Sequence, residues 1–143
     1  MSDASAHDHR ISFNSTYGPG LSEEGRCRVW LSNVILRENK QLGLVAIVFV
    51  SDETLHQMNL QHLQHDTLTD ILTFPYSYAP IEAEIYISTD RVAEHATLHE
   101  VSYDTELRRV MVHGILHMCG YKDKSGEQQQ EMRAREDLYL KDW

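Results

Sequence analysis

Apolar positions change their period several times along the chain, and each change marks an element. Leu42 to Val50 is almost unbroken apolar sequence rich in β-branched residues, the pattern of a buried central strand. Ile81 to Ser88 (IEAEIYIS) alternates apolar and polar, as a half-exposed strand does. Ile71 to Phe74 reads as a third strand ended by Pro75, and Ile11 to Ser15 as a short edge strand. Elsewhere the period lengthens to that of a helix. One helix runs from Ser22, as N-cap, to about Asn39, with Val29, Trp30, Val34 and Ile35 on its apolar stripe. A second, capped by Ser51 or Asp52, covers Glu53 to about Leu63, and a third, capped by Thr89 or Asp90, runs through His99. A fourth covers Thr105 to Cys119 behind Asp104, with Leu107, Val110, Met111 and Leu116 turned to the sheet. A last, highly charged helix covers Glu127 to about Leu140 behind Ser125. The order β–α–β–α–β–β–α–α–α places a hairpin between helices, so the sheet is expected to be mixed and the fold α+β.

Composition narrows the class. A chain of 143 residues with 41% apolar content is sized for one domain with its own core. Residues 1–9 are polar and read as a flexible tail, leaving 10–143 as the domain. No apolar run approaches the roughly 20 residues of a membrane span, and the start lacks the apolar segment of a signal peptide. A cytoplasmic protein is expected. The two cysteines, Cys27 and Cys119, make no disulfide framework and read as buried thiols. A net charge of −9 argues against nucleic-acid binding by bulk charge. A nucleic-acid-binding protein with this balance needs a local basic patch, for which Arg108, Arg109, Lys122, Lys124, Arg133 and Arg135 are candidates. Lys122 and Lys124 stand out because they flank Asp123.

The candidate chemistry lies in His113-Gly114-Ile115-Leu116-His117-Met118-Cys119-Gly120-Tyr121-Lys122-Asp123. His113 and His117 are four residues apart on the fourth helix, and at about 100° per residue their rings project from nearly one face. Gly120 is suited to the left-handed position that ends a helix. Beyond that turn Asp123 can offer a carboxylate to the ion shared by the imidazoles. Two His and one carboxylate leave a coordination position open, which marks a catalytic site more than a structural one. A pair spaced this way is common among nine histidines, but these two lie between Val112, Ile115, Leu116 and Met118, where imidazoles without partners are costly. A second pair, His95 and His99, has no Gly turn or carboxylate following at useful distance and is read as non-ligand. A zinc peptidase is the alternative enzyme, but its general base would stand where this chain has Gly114.

The string HGILHMCGYKD resembles the signature of the YbeY family of metal-dependent endoribonucleases, H-G-x-L-H-L-x-G-Y-D-H, with Asp123 at the family's third histidine. Asn59 to Pro75 is similar to the same family's N-x-x-Y-R-x-x-D-x-P-T-D-V-L-S-F-P, keeping Asp66, Thr69, Asp70, Leu72, Phe74 and Pro75. The family's Tyr-Arg pair falls on His62 and Leu63, and His65 is the nearest cationic substitute for that phosphate-holding arginine. Glu84 falls at the aspartate of the family's G-D-I strand, where it could act as general base or as an orienting partner of a ligand. Asp70 is the other candidate partner. The resemblance implies a compact zincin-like fold with the metal between helix and sheet. It also implies one zinc, or another divalent transition metal, on His113, His117 and Asp123. The implied activity is single-strand-specific endoribonuclease cleavage in 3′-end maturation of small-subunit (16S) ribosomal RNA and in ribosome quality control. Ribosomal RNA and the small ribosomal subunit are the implied partners. The non-enzyme alternative is a metal-stabilised ribosome-assembly factor whose ion is structural.

Overall fold

The computed structural model describes residues 8–63 and 69–143, without the side chains of 62 and 63. The tail expected over residues 1–9 lies outside them except for Asp8 and His9.

The apolar run expected to form the central strand does so as β2 (Leu42–Val50), which pairs in parallel with β1 (Ile11–Ser15) on one side and β4 (Ile81–Ser88) on the other. β3 (Ile71–Tyr78) pairs antiparallel with β4, giving a four-stranded mixed sheet in the order β1-β2-β4-β3. β3 does not stop at Pro75. It is an edge strand, where a proline's missing N–H removes no ladder bond, and the strand continues to Tyr78. The register slips between Pro75 and Ser77, so β3 carries a bulge there.

Alternation along β2 and β4 divides the residues between two faces. Val45, Ile47, Phe49, Ile81, Ala83, Ile85 and Ile87 are buried in the main core with helices α1 (Glu24–Arg37), α4 (Tyr103–Met118) and α5 (Gly126–Lys141). The opposite face holds a smaller cluster, Val50, Leu55 and Leu72 with Val48, Phe74 and Tyr86, covered by α2 (Asp52–Met58). A π-helical turn, Asn59–Leu63, follows α2, and α3 (Thr89–Leu98) leads from β4 toward α4.

Helix starts shift by a residue or two from the sequence reading. The α1 N-cap is Glu23, in a left-handed conformation and without a side-chain cap, rather than Ser22. Ser88 and Ser102 cap α3 and α4 in place of Thr89 or Asp90 and Asp104, their hydroxyls accepting from Arg91 and Thr105 N–H. In each case the serine lies directly before the first helical residue, where its oxygen reaches the free N–H groups. Ser51 and Ser125 cap α2 and α5 as expected, the latter in a full capping box with Gln128. Among the described residues no helix is long and apolar enough to cross a membrane.

Candidate metal centre

Helix α4 ends in a Schellman turn, built because Gly120 takes φ +106° without steric cost. Gly120 N–H donates to the His117 carbonyl at 3.0 Å and Tyr121 N–H to the Leu116 carbonyl at 3.1 Å. The turn has two chemical consequences. It brings the Tyr121 carbonyl to His117, and it folds Asp123 back over the helix end. His113 Nε2 and His117 Nε2 are 3.0 Å apart, and Asp123 Oδ2 lies 3.2 Å from the first and 3.3 Å from the second. Ligand atoms on a tetrahedral zinc at about 2.0–2.1 Å stand about 3.3–3.4 Å from one another, so this triangle is close to one face of such a tetrahedron. It is the one group of three His, Cys or acidic side chains among the described residues whose ligand atoms converge so closely.

The donor chemistry also fits a divalent ion. His117 Nδ1 lies 2.9 Å from the Tyr121 carbonyl oxygen, which can only accept, so the ring carries its proton on Nδ1 and presents a lone pair from Nε2. His113 Nδ1 lies 2.6 Å from Glu136 Oε2, which fixes the same tautomer. Glu136 is buried, its side chain 6% exposed, and its other oxygen accepts from Arg109 Nη1 at 2.8 Å. Arg109 is held in turn by Asp137 at 2.7 Å. Burial disfavours the His113 imidazolium, but the Glu136 hydrogen bond and the charges of Glu136, Asp123 and Asp70 outweigh it and hold the pKa above the ordinary imidazole value.

The other sequence candidates part company. Asp70 lines the same cavity as His113, Asp123 and Glu136, and its carboxylate lies 3.8 Å from His95 Nδ1. It hydrogen-bonds to neither imidazole of the cluster; the Nδ1 atoms of His113 and His117 meet Glu136 and the Tyr121 carbonyl instead. Glu84 requires a correction. It pairs with Phe74 and Ala46 on the sheet face opposite α4, where its carboxylate accepts from Tyr76 Oη at 2.6 Å. Ile85, its neighbour, faces α4, and strand alternation sends Glu84 the other way, so it can be neither a base nor a partner at the histidines. His65 lies outside the described residues.

His95 and His99 stack with ring centroids 6.0 Å apart at the far side of the cavity, and His99 Nδ1 meets the buried Glu106 at 3.2 Å. Tertiary structure thus supplies this pair with Asp70, from just before β3, and Glu106, from the first turn of α4. His99 itself is exposed.

Half of the basic candidates are committed. Arg108 stacks on Trp143, Arg109 serves Glu136 and Asp137, and Arg135 lies by Glu38. Lys122, Lys124 and Arg133 form no ion pair among the described residues, and Arg133 borders the cavity. Both thiols are buried, and burial pushes each up to about 12.

Gly114 answers the peptidase alternative. A Cβ there would stand 2.9 Å from Ile71 Cδ1 and 3.3 Å from Ile85 Cδ1, because α4 lies directly on the sheet at this point. A glutamate at this position would point into the apolar core and away from the His113–His117 pair, whatever its chemistry.

Comparison with known proteins agrees with this geometry. The family model Endoribonuclease YbeY matches residues 23–143. The chain is 47% identical to Endoribonuclease YbeY of Flavobacterium psychrophilum, over 92% of this chain and 94% of that one. It is 48% identical to Endoribonuclease YbeY of Amoebophilus asiaticus, over 78% of this chain and 77% of that one. The solution structure of TM1509 from Thermotoga maritima superposes with a TM-score of 0.62 at 27% identity, covering 92% of this chain and 87% of that one. With a family match spanning most of the sequence and a Schellman turn that gathers HGILHMCGYKD into one three-ligand cluster, the chain belongs to the YbeY family of metal-dependent endoribonucleases.

Proposed function

We propose that this protein is a zinc-dependent endoribonuclease that cuts single-stranded RNA in the cytoplasm. In this reading it acts in 3′-end maturation of 16S ribosomal RNA and in ribosome quality control, on or near the small subunit. The observation that carries the reading is the triangle of His113 Nε2, His117 Nε2 and Asp123 Oδ2, with both imidazole tautomers oriented from behind.

Each residue has a defined task. His113, His117 and Asp123 would hold the ion, and zinc supplies a Lewis acid that polarises a phosphoryl oxygen and makes water a stronger nucleophile at neutral pH. Glu136 and the Tyr121 carbonyl keep the two Nε2 lone pairs aimed at one point. Asp123 contributes one negative charge, so a divalent ion on this set keeps a net positive charge toward phosphate. In this reading Asp70, which lines the same cavity, would take a proton from the attacking water. His65 stands in for the family's arginine in this reading, on its sequence position alone.

The test is metal content by elemental analysis together with RNA cleavage, on wild type, Asp123→Ala and Asp123→His. About one zinc per wild-type chain, lost with activity in Asp123→Ala and kept in Asp123→His, is expected, since imidazole and carboxylate are alternative zinc ligands. Full metal retention in Asp123→Ala refutes the ligand set. A His113→Ala protein that unfolds instead of merely losing cleavage favours a structural ion and an assembly-factor role.

A further inference from the structure

Two cavities open on either side of the three ligands. One, bordered by His113 and Asp123, is crowded with carboxylates: Asp70, Glu106 and Glu136 all line it. The other runs between the end of α4 and the edge of β3 and has a volume of about 370 Å³. It is lined by His117, Tyr121 and Lys122 from α4 and the turn after it, and by Thr73, Pro75 and Tyr78 of β3. Among the described residues no acidic side chain lines it.

Tyr78 reaches this groove because of the bulge in β3. Thr73 and Pro75 pair with Ile85 and Ala83, which face α4, while Phe74 pairs with Glu84 on the opposite face. Strict alternation would send Tyr78 to the same side as Phe74. The slip between Pro75 and Ser77 inserts one residue, and Tyr78 comes to pair with Ile81, a core residue on the α4 side. Tyr78 is 57% exposed and lines the same groove as His117. Opposite it, the exposed Lys122 lies between the residue whose carbonyl orients His117 and the ligand Asp123. Its ammonium has no ion-pair partner among the described residues, in a protein of net charge −9.

We propose that this groove holds a nucleotide of the RNA flanking the scissile phosphate, with its base on the Tyr78 ring and its phosphate on Lys122. An exposed aromatic face and a free cation beside a phosphodiester-cleaving centre are the two elements of single-strand binding: stacking tolerates any base, and the cation follows the backbone. A duplex cannot present an unstacked base to Tyr78, so the groove also accounts for preference for single strands. The assignment rests on the endoribonuclease reading for its occupant.

The experiment has a binding arm and a cleavage arm. Binding of a hydrolysis-resistant, fluorescein-labelled single-stranded RNA is followed by anisotropy for wild type, Tyr78→Ala, Tyr78→Phe and Lys122→Ala, each checked for metal content and melting temperature. Tyr78→Ala is expected to weaken Kd about tenfold or more, with Tyr78→Phe near wild type, because the ring and not the hydroxyl stacks. Lys122→Ala is expected to lower the slope of log K against log salt by about 0.7, the loss of one phosphate contact on a single strand. In the cleavage arm both alanine variants raise KM with little change in kcat. Replacing the flanking nucleotides one at a time by abasic residues removes the difference between wild type and Tyr78→Ala at one position only. Unchanged Kd and KM in Tyr78→Ala overturn the assignment, as does a wild type that does not bind the RNA. A wild type that binds RNA with this Tyr78 dependence but never cuts it overturns the endoribonuclease reading and leaves the groove.

Discussion

Replacing Glu136 by glutamine tests the centre without touching a ligand. Glu136 offers two acceptor oxygens, one to His113 Nδ1 and one to Arg109, and its side chain is nearly inaccessible to water. Glutamine keeps the shape but has one acceptor and one donor end. If its oxygen faces His113, its amide hydrogens oppose the Arg109 guanidinium at a site built for a 2.8 Å hydrogen bond. If it flips, its N–H₂ faces His113 Nδ1, and the imidazole proton must move to Nε2, which occupies the lone pair that the ion needs. Neither orientation satisfies both neighbours. A hydrogen bond to a charged group contributes about 1.5–3 kcal/mol. Loss of such an orienting partner typically weakens metal binding about 10–100-fold, or about 1.4–2.7 kcal/mol. Folding stability should fall by about 1–3 kcal/mol, less than the roughly 3–5 kcal/mol of an orphaned buried charge, because Arg109 keeps its bond to Asp137. The assay is competition for zinc against a chromogenic chelator at neutral pH, with urea unfolding of the metal-free protein alongside. A Glu136→Gln protein that is folded and binds zinc within about twofold of wild type would refute the orienting role.

Two further outcomes follow from the same contacts. His113 has a folded pKa above its unfolded value of about 6.5, so in metal-free protein its attraction to Glu136 and Asp123 stabilises the fold fully below that pH. That contribution is lost as pH rises through the folded value, and stability measured by urea unfolding from about pH 6.5 upward should fall less in His113→Ala than in wild type. Gly114→Ala should destabilise by about 1 kcal/mol, since overpacking of about 1–3 kcal/mol is only partly offset by a helix-propensity gain of about 1 kcal/mol. Ile71→Val removes the methyl group nearest the new Cβ and should recover most of that loss in the double variant, as read by thermal unfolding.

Much of the centre was legible because it is local. The four-residue spacing of His113 and His117 aligns their rings on any α-helix, and Gly120 marks the turn that returns Asp123, so one short string brings the three side chains together. The strands and the mixed sheet were equally readable from the unbroken apolar run of β2 and the hairpin order of β3 and β4. Glu136 was not readable. It comes from α5, a helix so rich in charge that its thin buried stripe, Met132, Glu136 and Tyr139, does not declare which face turns inward. Which face of β4 meets α4 depends on long-range packing, and with that face known the alternation of IEAEIYIS removes Glu84 from the centre. The bulge before Ser77 is a tertiary decision of the same kind, since nothing in ILTFPYSY announces a one-residue slip. Local geometry determined which atoms can share an ion. The packing of α5 on α4, and of α4 on one sheet face, decided which carboxylate orients them and which tyrosine stands beside them, because side chains distant in sequence meet only where apolar faces have already been paired.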